Sequence, residues 1–98
     1  MTIDKVQNGE KLEVKVSGRL DTTTAPDLEA ALKESLEGIK DLNMDFSDLE
    51  YISSAGLRVL LSAQKTMNKQ GSMTVSGVNS TIMEIFEVTG FSDILTIQ

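Results

Sequence analysis

Two residue types that supply much of protein chemistry are missing from this chain. Its 98 residues include no cysteine and no histidine. Without cysteine there is no disulfide framework, no zinc–thiolate site and no thiol nucleophile. Without histidine the commonest general base and metal ligand are gone. Aromatic residues are scarce, with three Phe and one Tyr, which leaves no platform for stacking bases. Positive charge is short as well. Nine basic residues face 15 acidic ones, for a net charge of −6, which argues against direct binding of nucleic acid. Long apolar runs are absent too. No window approaches the ~18 apolar residues of a membrane span, and Met1-Thr2-Ile3-Asp4-Lys5 has no apolar signal core. A single cytoplasmic domain over residues 1–98 is the expectation, with no cofactor and no metal. No Gly-rich phosphate loop, Gly-x-Ser-x-Gly elbow or metal-ligand spacing occurs, so an enzyme is not expected.

What is present is a regular alternation of strand and helix signals. Residues 2–7 read as a strand, and Asn8-Gly9 as a hairpin turn. Leu12, Val14 and Val16 then alternate with Lys11, Glu13, Lys15 and Ser17, the pattern of a half-buried antiparallel strand. Residues 18–24 read as a loop ending in a cap, with Thr24 and Asp27 spaced as a capping box and Pro26 in the first helical turn. Leu28, Leu32, Leu36 and Ile39 follow helical spacing up to Gly38 and just beyond. Leu42, Met44 and Phe46 alternate as a strand. A second helix runs from Ser54 to about Lys69, with Leu57, Leu60, Leu61, Ala63 and Met67 inward and Arg58, Ser62, Lys65 and Lys69 outward, and Gly71 ends it. Residues 73–78 form a short strand. Asn79-Ser80-Thr81 offers caps for a third helix bearing Ile82, Ile85 and Phe86, which Gly90 stops. Residues 94–97 read as a last strand or extended tail. The order is ββαβαβα, then a further strand: an α/β fold whose mixed sheet opens with an antiparallel hairpin and carries helices packed on it, one face better covered than the other.

The chemistry-bearing feature is Ser53-Ser54, where a strand gives way to the second helix. A hydroxyl at a helix N-terminus meets unpaired backbone N–H groups and the positive end of the helix dipole, both of which favour a phosphate. Serine is also a common N-cap with no further role. Asp45, Asp48 and Glu50 cluster at a strand end and read as a solvated acidic loop more readily than as a magnesium site or a receiver phosphoacceptor. The stripe Arg58, Lys65 and Lys69 reads as an exposed helix face, with Arg58 one turn beyond Ser54. Met44, Met67, Met73 and Met83 read as core or rim filler.

Two stretches give the chain a family resemblance that covers essentially its whole length. Gly18-Arg19-Leu20-Asp21, leading into a helix, resembles the G-x-L/I-D signature of the STAS domain family. Tyr51-Ile52-Ser53-Ser54-Ala55-Gly56-Leu57 is similar to that family's D-S-[ST]-G-L segment. The resemblance is to the free-standing bacterial anti-sigma factor antagonists. It places Ser54 on the phosphoacceptor position, with Ser53 as the alternative acceptor, and Asp21 on the loop aspartate near it. Ser53 replaces the family's aspartate and Ala55 its second Ser/Thr. The resemblance implies a partner-binding surface of Asp21, Thr22, Ser53, Ser54, Gly56, Leu57 and Arg58. It further implies that the unphosphorylated chain binds an anti-sigma factor that is also a serine kinase, and so frees a sigma factor. Phosphorylation of Ser54 would block that binding, and a PP2C-type serine phosphatase would restore it. The departures at 53 and 55 leave open a STAS interaction module of another complex, such as a sensor scaffold or the cytosolic subunit of a lipid transporter, not controlled by serine phosphorylation. Gly56 is locally unfavourable in a helix, and close approach of a partner backbone or a nucleotide is one reason for it. Asp21, Asp48 and Glu50 are expected close to the acceptor, where they would oppose an added phosphate.

Overall fold

A computed structural model describes residues 1–98. Strands β1 (Thr2–Asn8) and β2 (Lys11–Leu20) form the opening hairpin. Helix α1 (Ala25–Ser35) is followed by β3 (Asp41–Asp45), β4 (Leu49–Ile52), α2 (Ser54–Gln70), β5 (Ser72–Ser76) and α3 (Ser80–Thr89). A single 3-10 turn at Phe91–Asp93 leads to the tail. The order is therefore ββαββαβα, one strand more than the sequence pattern showed. That strand, β4, has four residues and no clean alternation, since Leu49 and Ile52 are buried and Glu50 is exposed.

The hairpin closes one residue later than expected. Asn8 pairs with Lys11, so Gly9 and Glu10 form the two-residue loop. Gly9 alone is left-handed, at φ +65°. A left-handed glycine in the first loop position gives the twist that joins antiparallel strands.

Strand β2 is also longer than its alternating stretch. Its first half, Lys11 to Lys15, pairs in parallel with Asp41 to Asp45 of β3. Its last residues, Gly18 to Leu20, pair in parallel with Leu49 to Ile52 of β4, across a bulge at Gly18/Arg19. The glycine that suggested a loop instead marks this bulge, where the strand bends and continues. Along the main path the sheet runs β1-β2-β3-β5.

Leu12, Val14, Val16, Leu42, Met44, Met73 and Val75 all point to one face of the sheet and are buried. They join apolar residues of the three helices in one cluster of 24 buried side chains. The opposite face is polar; there the Thr74 and Ser76 hydroxyls donate to Asn43 Oδ1 at 3.0 and 3.4 Å. A mixed sheet with one dry face needs alternation in its strands, as observed.

The helices keep their expected faces and differ at their ends. Leu28, Leu32, Leu36 and Ile39 are all buried, although α1 stops at Ser35 and the last two reach the core from the turn beyond it. The Thr24–Asp27 capping box does not form. Thr24 sits at φ −95°, ψ −21° and makes no side-chain cap bond, whereas a capping residue needs extended backbone to turn its oxygen inward. Gly71 ends α2 without left-handed backbone. Its φ is 179°, and a side chain there would collide with the Lys40 backbone. Asn79 caps α3, accepting from Ile82 N at 2.9 Å while its Nδ2 donates to Leu49 O at 2.9 Å. The expected last strand reduces to one bridge, Ile97 beside Val75.

Candidate functional site

The parallel pairing of Leu20 with Ile52 places two loops side by side. One follows β2 and begins at Asp21; the other follows β4 and begins at Ser53. The Ser53 N–H donates to Leu20 O at 2.9 Å and ties them together. Residues more than thirty positions apart in sequence thus share one end of the sheet.

Asp21 organises the first loop. Its Oδ1 accepts from Thr23 N at 3.0 Å and Thr24 N at 3.1 Å. The Thr24 hydroxyl faces back into this turn, donating to Arg19 O at 2.8 Å and accepting from Asp21 N at 2.8 Å. This occupation is why it does not cap α1. The Thr24 backbone N–H, then the Thr24 hydroxyl, the Thr23 N–H and the Arg19 guanidinium, hold the Asp21 carboxyl below the usual carboxylate range against the effect of partial desolvation. Asp21 is therefore a fixed negative charge at neutral pH.

Ser53 and Ser54 are separated by the start of α2. Ser53 is the N-cap, extended at φ −97°, ψ 174°, and half-buried. Its hydroxyl accepts from Gly56 N at a long 3.4 Å. Ser54 is the first residue of the helix and is exposed. The two candidates thus differ in physical standing: one hydroxyl serves the cap, the other faces solvent.

The remaining expected contact residues divide by burial. Thr22 and Arg58 are exposed, and Asp21 is half-buried. Leu57 belongs to the hydrophobic cluster and is 6% exposed. Gly56 is buried as well, and the chain's own packing accounts for it. A Cβ there would stand 2.7 Å from Leu20 Cγ and 2.9 Å from Ile52 Cγ1. Leu20 and Ile52 at the strand ends leave no room for a side chain, so the glycine is accounted for without a partner backbone or a nucleotide. Asp48 also lies elsewhere than expected. Asp48 precedes β4, at the far end from the serines, and pairs with Lys15 at 3.1 Å. A four-residue strand spans about 13 Å, so Asp21 is the carboxylate beside the serine loop. Asp45, Asp48 and Glu50 do not converge into a metal-binding group. Asp45 instead accepts from Ser47 N at 2.9 Å, and that bond holds its carboxyl low.

Sequence reasoning missed Arg19 and Tyr51. They are cross-strand partners, and the Arg19 guanidinium lies 4.4 Å from the Tyr51 ring centroid. Its Nε is 3.9 Å from Asp21 Oδ2. Reading Gly18-Arg19-Leu20 as a strand would have found this pair. A shallow groove of about 200 Å³ opens next to the loops, lined by Thr22, Pro26, Ala55 and Arg58 among others. The arrangement holds an exposed hydroxyl, a fixed carboxylate and arginines on both sides.

A mixed sheet opened by a hairpin, with helices on one face and a serine at the start of the second helix, defines a small interaction domain of the STAS type. The profile of the family described as "Mlab, STAS domain" matches residues 3–96, and the chain belongs to the STAS domain family. It is 31% identical over 99 residues to an anti-sigma-B factor antagonist of Bacillus subtilis, a match covering all of this chain and 91% of that protein. Among solved structures it resembles an anti-sigma factor antagonist from Mycobacterium paratuberculosis, with a TM-score of 0.88 and 25% identity over 98% of this chain and 83% of the other. The antagonist SpoIIAA of Bacillus matches at 14% identity and 99% of this chain in both its states. The TM-score is 0.78 for the unphosphorylated form, with 87% of that chain covered, and 0.77 for the phosphorylated form, with 91% covered.

Proposed function

We propose that this chain is an anti-sigma factor antagonist whose docking is switched by phosphorylation of Ser54. Unphosphorylated, it binds an anti-sigma factor that is also a serine kinase, and the sigma factor is released. Phosphorylated, it lets go, and a PP2C-type serine phosphatase resets it. The protein acts in the cytoplasm as a regulator and not as an enzyme. The observation that carries this reading is the exposed Ser54 hydroxyl at the first residue of α2, beside a fixed Asp21, in a chain similar over its full length to proteins named antagonists.

The physics of the switch is local. A phosphoserine carries about −1.5 to −2 charges at neutral pH. The N-terminus of α2 tolerates that charge, so the fold has no reason to change. Both forms of SpoIIAA match this chain's fold to the same degree, which supports a switch without refolding. The partner bears the consequence. A surface fitted to a small hydroxyl next to the Asp21 carboxylate would meet a bulky dianion, and an unpaired buried charge costs several kcal/mol. A loss of about 3 kcal/mol is roughly a hundredfold in affinity, enough to release a complex of moderate strength.

The test uses an anti-sigma serine kinase from the same organism. Mass spectrometry of the chain incubated with that kinase and ATP should place phosphate on Ser54. Ser54→Ala should bind the kinase and refuse the phosphate, and Ser54→Asp should bind at least tenfold more weakly than the unmodified chain. Equal binding of Ser54→Asp would refute the switch. Ser53 and Ala55, standing where the family has Asp and Ser/Thr, favour a second reading: a STAS module of a sensor scaffold, or the cytosolic subunit of a lipid transporter. No phosphate incorporation, together with co-purification of transporter or scaffold subunits, selects that alternative.

A further inference from the structure

Charge is distributed very unevenly along this chain. No Asp or Glu occurs between Glu50 and Glu84, and that stretch holds Arg58, Lys65 and Lys69. The net −6 thus divides into +3 on this segment and −9 on the rest. All three basic residues are on α2, all are exposed, and none is in an ion pair, whereas Lys5, Lys15, Arg19 and Lys33 each have a carboxylate partner. They line one depression of about 580 Å³ with Leu61 as its single apolar side chain. Arg58 also lines the groove beside Ala55 and Thr22, so the basic furrow is continuous with the serine loop.

We propose that this furrow is the electrostatic half of the docking surface and that it receives an acidic helix of the anti-sigma kinase. The proposal rests on the antagonist reading and names the partner chemistry it requires. Arg58, Lys65 and Lys69 stand at i, i+7 and i+11, one stripe of the helix, with their Cα atoms rising about 10 Å and then 6 Å along the axis. Carboxylates repeated at the same spacing on a helix laid alongside would meet each cation in turn. Leu61, half-buried between them, offers such a helix one apolar contact. Other anionic partners fit worse. Recognition of anionic lipid by charge takes clusters of about four to eight basic residues, and DNA binders typically neutralise six or more phosphates. Three cations on a chain otherwise at −9 fall short of both. They are sufficient to steer and orient a protein partner, where opposite charge chiefly sets the rate of encounter and the register of docking.

Two double variants with equal net charge test this. Lys65→Glu/Lys69→Glu reverses the stripe. Lys11→Glu/Lys40→Glu reverses two exposed lysines that lie off α2. Both take the chain from −6 to −10. Binding to that anti-sigma serine kinase is followed by surface plasmon resonance from about 50 to 500 mM salt, over which the Debye length shrinks severalfold. The stripe variant should lose about tenfold or more in affinity at low salt, mainly in association rate, and recover much of it at high salt. The control should change less than about twofold, and Lys65→Arg/Lys69→Arg should bind like the unmodified chain. Equal losses in both Glu variants, or a loss indifferent to salt, would overturn the proposal. So would a stripe-dependent homodimer by light scattering, or stripe-dependent retention on phosphatidylglycerol vesicles or duplex DNA at 150 mM salt with kinase binding intact. Failure of the unmodified chain to bind the kinase removes the antagonist reading itself. Normal binding by the stripe variant removes only the furrow.

Discussion

Gly56→Ala is a small change with opposing consequences, and the structure decides which prevails. In an ordinary helix, replacing glycine with alanine stabilises by about 1 kcal/mol. Gly56 is the third residue of α2, near the fraying end, so the gain there is smaller. Against it stands the new methyl group. It would lie 2.7 Å from Leu20 Cγ, 2.9 Å from Ile52 Cγ1 and 3.1 Å from Leu20 Cδ2. Leu20 is 0% exposed and Ile52 2% exposed, so neither side chain has free space to move into. The first turn of α2 must therefore move off the ends of β2 and β4, and overpacking of this kind costs about 1–3 kcal/mol. The net expectation is a loss of about 1–2 kcal/mol, or roughly 5–10 °C in melting temperature for a domain of this size. Partner binding should fall with it, because the displaced turn carries Ser53 and Ser54 away from Asp21. Calorimetry on Gly56→Ala, Leu20→Ala and the double variant checks the cause. Leu20→Ala alone should cost about 2–5 kcal/mol. The double variant should cost at least ~1 kcal/mol less than the sum, because the new methyl occupies part of the emptied site. A Gly56→Ala protein that melts at or above the parent temperature, with additive double-variant energies, would refute the reasoning.

Three further outcomes follow from single interactions. Gln64 is 6% exposed, and its Oε1 has no hydrogen-bond partner; Gln64→Met should raise stability by about 1 kcal/mol, measured by urea unfolding, because an orphaned buried acceptor is removed. Asn79 both caps α3 and holds Leu49 O; Asn79→Ala should cost about 2 kcal/mol, about half from each role, and an unchanged denaturation midpoint would contradict that. Asp21 titrates below its usual 3.8 in the folded chain, so its ionised form stabilises the fold above that value, and the contribution disappears as pH falls through the lowered folded value. Asp21→Asn should therefore melt below the parent protein at neutral pH, with the gap closing on acidification below about pH 4; a gap independent of pH would assign the loss to shape and not charge.

The parts of the fold legible in the sequence are those where side-chain period and burial agree. Leu12, Val14 and Val16 alternate, and Leu28, Leu32 and Leu36 recur at helical spacing, so hairpin and helix declare themselves. Strand β4 does not. It is too short to show a period, and it exists because β2 outlasts its pairing with β3 and presents Gly18 to Leu20 to a second partner. Nothing local in Leu49 to Ile52 encodes that. The Thr24 cap failed for a related reason. Spacing allowed a bond to the helix, but Asp21 and Arg19 compete for the same hydroxyl, and that competition appears only once the loop is folded.

The site shows the same division between local and non-local information. Ser54 at a helix start could be read from the residues around it, because the cap and the following helix are local. The relation between Asp21 and that serine could not be derived from either segment alone. It depends on the register Leu20 opposite Ile52, which a glycine bulge and a buried glycine together maintain. Gly56 is therefore where fold and proposed function meet most closely. Its missing side chain lets the strand ends touch α2, and that contact sets how near the Asp21 carboxylate stands to the hydroxyl we propose is marked. The three cations farther along α2 could be seen in the sequence as a stripe. Their lack of any carboxylate partner became visible only when Lys5, Lys15, Arg19 and Lys33 were found paired. A surface charge left unpaired on a strongly acidic chain is most informative when, as here, it adjoins the place where the partner is proposed to dock.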